Sequence, residues 1–171
     1  MKDIVLSTER MHLRKLHMGD VERLQRIFSD PIAMKHYPST KNREETVRWI
    51  RWNLESYRKF GIGLWSAEWK ASGAFAGQVG LVLQEVEGIQ EVEIGYLFVR
   101  EHWGKGLATE GANACKAYGF RELGFERLVS LIAPANERSI RVAKRIGMTF
   151  ERTVEKWGRR LALYAIRKED E

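Results

Sequence analysis

The 171 residues contain a single cysteine, Cys115, so neither an internal disulfide nor a zinc site built from several thiolates can form within the chain. A reducing, cytoplasmic setting is the expectation. The opening MKDIVLSTERMHLRKL lacks the apolar run of a secretory signal, and nowhere do the roughly eighteen consecutive apolar residues that span a bilayer follow one another. Only three prolines occur and no long polar tract, which argues against disordered, collagen-like and mucin-like classes. No block of one charge sign stands out either. The 29 Lys and Arg and 23 Asp and Glu give a net charge of +6, but the signs are mixed without a long tail, which argues against an arm that coats nucleic acid. The surplus favours anionic partners in general, a phosphorylated cofactor among them.

What is present suits a folded domain. Apolar residues make up 44% and charged residues 30%, and a chain of this length buries roughly two thirds of its unfolded surface in one core. One domain spanning 1–171 is expected, with no internal repeat or linker. Alternation from Glu9 to Leu16 predicts a half-buried strand with Met11 and Leu13 facing opposite His12 and Arg14. Val21, Leu24, Ile27 and Phe28 make one helical face, with Asp20 placed to cap its start, and a second helix is predicted from Arg43 to Phe60, leaving at Gly61 and Gly63. Extended segments follow at Leu64 to Trp69, Phe75 to Val86 and Gln90 to Val99, separated by turns at 70–73 and 87–88, and these predict an antiparallel meander. The period then changes. A helix from Gly106 to Phe120 leads to a strand at Arg127 to Ile132, a βαβ crossover. A helix at Glu137 to Ile146 and strands at Met148 to Glu155 and Arg160 to Arg167 close the domain. The fold class is therefore α/β, a mixed and mainly antiparallel central sheet flanked by helices.

The chemical signal lies at Gly104-Lys105-Gly106, where a strand runs into glycines at the start of a helix. Small residues let the backbone approach a diphosphate, and the unpaired amides and positive dipole of a helix start stabilise its charge. Lys105 adds a flexible cation. The spacing is not that of a Walker A loop, and the preceding meander conflicts with a dinucleotide fingerprint. A different phosphate-bearing cofactor is indicated.

Several further stretches join this one: Thr8-Glu9-Arg10 with Leu13-Arg14 and Asp20, then Glu93-Ile94-Gly95-Tyr96, then Trp103 through Glu110, and Asn136-Glu137-Arg138-Ser139 ending at Gly147-Met148. Together, from Thr8 to Ile166, they resemble the GCN5-related N-acetyltransferase (GNAT) superfamily, in particular the branch that acetylates ribosomal-protein alanine N-termini. The resemblance implies a GNAT-like fold and acetyl transfer from acetyl-CoA to a primary amine, through a tetrahedral intermediate and without a covalent enzyme species. It implies that Phe98, Val99, Trp103, Gly104, Lys105, Gly106, Leu107 and Ala108 bind pantetheine and pyrophosphate, and that Asn136 contacts the pantetheine arm. The plain alternative for Asn136 is a helix cap.

A neutral amine is needed, and Glu93 is the candidate base, with Glu91 and Glu85 as substitutes. Strand alternation places Glu91, Glu93 and Gly95 on one face and Ile94 and Tyr96 on the other. The resemblance associates Ser139 with the departing thiolate, although a serine there also reads as a helix-start hydroxyl. Two residues depart from the family pattern. Ala143 stands where many members carry a phenolic acid, and Glu101 stands where glutamine or arginine is usual. A carboxylate at 101 facing the diphosphate would weaken binding and leave a non-catalytic acyl-CoA sensor.

The first expected acceptor is a protein or peptide N-terminus. Polyamines, amino acids and aminoglycosides are the alternatives, since fold does not select a substrate. No metal is expected: His12, His17, His36 and His102 show no ligand spacing. Cys115 reads as a small core residue. Trp49, Trp52, Trp65 and Trp69 read mainly as packing, with lining of an acceptor cleft as a second role. Asp30, Tyr37 and Arg51 are polar candidates near the same region that read as solvated surface. No direct nucleic-acid or membrane partner is expected, and an exposed strand edge suits a homodimer.

Overall fold

The computed structural model describes residues 3–171. The strand predicted from Glu9 to Leu16 is β2 (Met11–Lys15), and it forms a hairpin with β1 (Ile4–Ser7), a strand that the alternation does not mark. The turn between the two strands has a tertiary anchor. Thr8 Oγ1 and the backbone and side chain of Arg10 all donate to the Glu110 carboxylate, at 2.5, 2.9 and 2.7 Å, so the turn is held by a residue about a hundred positions away. Arg14 also departs from expectation. It is buried, because β2 is an interior strand and its guanidinium reaches Asp20 and Glu68.

The helix α1 (Val21–Phe28) buries the predicted face. Asp20 does not cap it by a side-chain hydrogen bond. Its carboxylate instead accepts from the His17 amide at 2.9 Å and binds Arg14. In α2 (Arg43–Phe60), Asn42 and Glu45 form a reciprocal capping box and Gly61, at φ 74°, ends the helix in the left-handed conformation.

The strands β3 (Leu64–Trp69), β4 (Phe75–Val86) and β5 (Ile89–Phe98) form the predicted meander. Glu87 and Gly88 both have positive φ, as a tight two-residue hairpin turn requires. Gly80 on β4 lies so close to β3 that a Cβ would stand 2.2 Å from the Gly63 carbonyl oxygen. Backbone cannot yield as a side chain can, so Gly80→Ala is expected to lower the melting temperature by several degrees, an overpacking loss of about 1–3 kcal/mol. A thermal melt monitored by circular dichroism checks this.

The remaining elements are α3 (Leu107–Arg121), β6 (Arg127–Ile132), α4 (Glu137–Arg145), β7 (Thr149–Lys156) and β8 (Arg159–Arg167). Among the described residues, eight strands join one sheet in the order β1-β2-β3-β4-β5-β6-β8-β7, and only β5 and β6 run parallel. The helices α3 and α4 cover one face through Leu107, Ala112, Cys115, Phe120, Val142 and Ala143. On the opposite face α1 and α2 pack Leu24, Ile27, Phe28 and Ile50 against Phe75 and Val99. Among the described residues, no helix is long and apolar enough to cross a membrane.

One feature of the sheet positions the site. The parallel strands β5 and β6 share a single register pair, Glu93 with Val129. Just past it, the Ser130 hydroxyl donates to the Ile94 carbonyl at 2.8 Å. The last residues of β5 are left without a β6 partner and open onto a cleft.

Candidate active site

The cleft has a volume of about 670 Å³, within the range of small-molecule sites. Tyr96, Leu97 and Phe98 at the end of β5 form one wall. The glycine turn and start of α3 form another, Asn136 and Ser139 at the start of α4 a third, and residues 32–37 after α1 close it.

Gly104 and Gly106 both sit at φ 79°, the left-handed region that glycine adopts without strain. Space around Gly104 is open to 4 Å, and Gly106 precedes α3 without a side-chain cap. The first turn of α3 therefore presents amide groups with no side-chain acceptor. Lys35, Arg138, Arg141 and Arg145 also line the cleft, against Glu137 as the one lining carboxylate. An uncapped helix start beside several cations fits a diphosphate.

Phe98, Trp103, Gly104, Gly106, Leu107, Ala108, Asn136 and Ser139 share this lining. Trp103 donates from Nε1 to the Phe98 carbonyl at 3.0 Å, and the Arg138 guanidinium carbon lies 4.0 Å from its ring centre. Val99 and Lys105 stand outside the lining. Val99 packs with the α1 and α2 cluster, and its amide donates to the Ala76 carbonyl at 2.9 Å. The Lys105 ammonium lies over the Trp69 ring, 3.5 Å from His102 Nδ1. Glu101 pairs with Arg26 of α1, and this ion pair turns its carboxylate toward that helix.

Asn136 caps α4 by accepting from the Ser139 amide at 3.2 Å. The Tyr96 hydroxyl donates to the Ser139 carbonyl at 2.9 Å and accepts from the Ser139 hydroxyl at 3.0 Å. Burial pushes the Tyr96 phenol well above its ordinary pKa, so it keeps its proton. Sequence reasoning missed this pairing. Alternation places Tyr96 opposite Glu93, but its partner lies 43 residues away. Tyr37 also lines the cleft, although its local sequence reads as surface.

Glu93 is 9% exposed. One carboxylate oxygen accepts from the Leu131 amide at 2.8 Å and the other from Gln84 Nε2 at 3.1 Å. Burial pushes its carboxyl up to about 7, with these hydrogen bonds and nearby Lys156 opposing the rise. It lies behind the lining proper, close enough to bear on Tyr37 and Tyr96. The other two candidate bases differ. Glu91 is held by Arg127 in a two-pronged pair at 3.0 and 2.9 Å, and Glu85 is exposed.

Ala143 is fully buried in the main core. Cys115 is likewise at 0% exposure, and burial raises its thiol far above the ordinary range. Asp30 pairs with Arg100 at 2.8 Å, and Arg51 is exposed on α2. Trp49 packs edge-on against Phe28 and Trp65 against Tyr118, while neither they nor Trp52 and Trp69 line the cleft. Among the described residues, no group of three or more His, Cys, Asp or Glu is placed to hold a metal ion.

A splayed pair of parallel strands with a glycine turn and an uncapped helix start below it defines an acyl-CoA-dependent acyltransferase fold. The chain belongs to the acetyltransferase (GNAT) domain family, whose model matches residues 10–149, and it is an N-acetyltransferase acting on amines. It is 42% identical over 160 residues to the uncharacterized protein YkkB of Bacillus subtilis (strain 168), covering 93% of each chain. Among solved structures it is similar to an acetyltransferase from Agrobacterium tumefaciens str. C58, with 28% identity, a TM-score of 0.84 and coverage of 95% and 93% of the two chains. The fold is shared with RimL, a ribosomal L7/L12 alpha-N-protein acetyltransferase solved with coenzyme A, at 18% identity, a TM-score of 0.79 and coverage of 96% and 97%.

Proposed function

We propose that this protein transfers the acetyl group of acetyl-CoA to the N-terminal amine of a protein or peptide, with Glu93 as base and Ser139, backed by Tyr96, as the proton donor. The observation that carries the reading is one buried carboxylate without a guanidinium partner, behind the lining and close enough to bear on Tyr37 and Tyr96, together with a hydroxyl pair in the lining itself. Acetyl-CoA, when bound, supplies the acetyl group as a thioester. Phe98, Trp103, Gly104, Gly106, Leu107, Ala108 and Asn136 hold it, with Val99 and Lys105 as flanking support for the glycine turn. Glu93 takes a proton from the ammonium group, directly or through water. A carboxyl pushed up to about 7 is better matched to that task at neutral pH than an ordinary carboxylate. Ser139 gives a proton toward the departing sulfur, and the Tyr96 phenol, turned from the Ser139 carbonyl to its hydroxyl, replaces that proton and recovers its own from the acetylated nitrogen through water, taking the place of the phenol absent at Ala143. Turning Glu101 toward Arg26 keeps its charge off the diphosphate and favours a working enzyme over a sensor. The single buried cysteine agrees with a cytoplasmic setting.

The test is a thiol-release assay with acetyl-CoA on peptides with free and blocked N-termini. Free peptides should gain one acetyl group at the N-terminus and blocked ones none. Acetylation confined to polyamines or lysine side chains would overturn the acceptor assignment. Ser139→Ala and Tyr96→Phe should each lower kcat by about tenfold, the worth of one hydrogen bond of this kind, with KM for acetyl-CoA nearly unchanged. Unaltered kcat in both variants would remove the proton-donor role.

A further inference from the structure

The sheet register puts two cations on the same face as Glu93. Glu93 is the parallel partner of Val129, Val129 pairs with Ala165, and every second residue of β8 from there back to Arg159 points the same way. Lys156 is the cross-strand partner of Arg159 and shares that face. Their turn, at Trp157 and Gly158, has positive φ at both residues, which brings the two side chains together at the tip of the β7–β8 hairpin. The tip is docked on the cleft: Arg159 Nη2 donates to the His36 carbonyl at 2.9 Å, and His36 and Tyr37 line the cavity.

These cations are underused. Arginine carries five N–H donors, and the bond to His36 occupies one. Other arginines near the core, Arg14 and Arg127 for example, are matched to carboxylates. Among the described residues no carboxylate lies within ion-pair distance of Arg159 or Lys156, and the Lys156 ammonium gives only one of its three donors, to the neutral Glu85 carbonyl at 2.5 Å. Lys35 lies on the same cleft wall beside His36. Glu93, buried and behind the lining, is the acid this end of the cleft offers.

Building on the amine-acetyltransferase reading, we propose that the acceptor carries a carboxylate a few bonds from its reactive amine, and that Arg159, with Lys156, holds it. A polyamine brings further positive charge to a cationic wall, whereas an acidic group beside the amine neutralises that wall. A guanidinium docked by one N–H has a fork left for bidentate capture of a carboxylate. The same chemistry arises from an acidic side chain near a peptide N-terminus or from the free α-carboxylate of an amino acid.

Rates of acetylation with saturating acetyl-CoA should be compared over matched peptides bearing Asp, Gln or Lys at the second and third positions. Free amino acids, their amides and spermidine complete the panel. The expectation is a kcat/KM for the acidic peptide at least about tenfold above the basic one, in line with a charge-assisted hydrogen bond. Preference for acidic peptides assigns the side-chain source, and preference for a free amino acid over its amide assigns the α-carboxylate. Arg159→Glu should reverse the order, Lys156→Glu should narrow it, and Arg159→Lys should restore part of it, mainly through KM. A purely structural hairpin contact would lower all acceptors alike. Equal use of acidic, neutral and basic amines, or a preference for spermidine, overturns this inference while leaving the acetyltransferase reading in place. No turnover with any amine overturns both.

Discussion

Glu93→Gln should lower kcat/KM by about a hundredfold or more, the range a positioned general base contributes, without unfolding the protein. The substitution preserves an oxygen for the Leu131 amide, now 2.8 Å from the carboxylate, and Gln84 can turn its amide to accept from the new nitrogen. The pH dependence carries the sharper test. Since burial pushes the Glu93 carboxyl up to about 7, the base is protonated and idle at pH 5.5. Its activity should rise as the pH passes through 7 and level off above. The Gln variant should lose that rise near 7.

Stability should move the opposite way. A carboxyl whose folded value is raised binds more protons in the native state between its unfolded value, about 4.5, and its folded value, so stability declines as pH rises across that window. Removing the charge should therefore leave Glu93→Gln at least as resistant to heat at pH 8 as the wild type. A variant that is slow yet no less stable separates a chemical role from a packing role. A rate unchanged across pH would remove Glu93 as the base.

The parts of this molecule legible in its sequence are those decided by near neighbours. The helical faces of α1 and α2, the glycine stop at Gly61 and the β3–β4–β5 meander all follow from period and turn chemistry within a few residues. Gly104 and Gly106 are legible for the same reason, since a left-handed position before a helix is a local requirement. The failures share a cause. The turn between β1 and β2 depends on Glu110, the burial of Arg14 depends on Asp20 and Glu68, and the pairing of Tyr96 with Ser139 crosses the splayed strands. No periodicity encodes a partner that distant. Polar residues whose partners come from another element therefore read as surface.

Asp20→Ala should be the most destabilising of these substitutions, because it strips a buried guanidinium of its main partner. Asp20 is fully buried, Arg14 is 4% exposed, and the two exchange paired hydrogen bonds at 2.9 and 2.7 Å, with Glu68 3.0 Å from Arg14 Nε. Burial by itself would raise the Asp20 carboxyl, but the Arg14 hydrogen bonds and the His17 amide overcome it and hold the carboxyl below its ordinary range. A depressed carboxyl stabilises the fold at pH values above its unfolded value, and that stabilisation is lost as the pH falls through the folded value. Removing one partner of a buried pair costs about 3–5 kcal/mol, since the other charge stays behind. For a chain of this length that is a fall in melting temperature of about 10 °C or more. The alanine also abandons the His17 amide, whereas Asp20→Asn retains an acceptor for it and should lose less. In a double-mutant cycle, Asp20→Ala should cost less in an Arg14→Met background than in the wild type, because no guanidinium is then left behind by the loss of Asp20. Strictly additive losses in urea denaturation would show that the two residues stabilise the fold independently and that the pair is no unit.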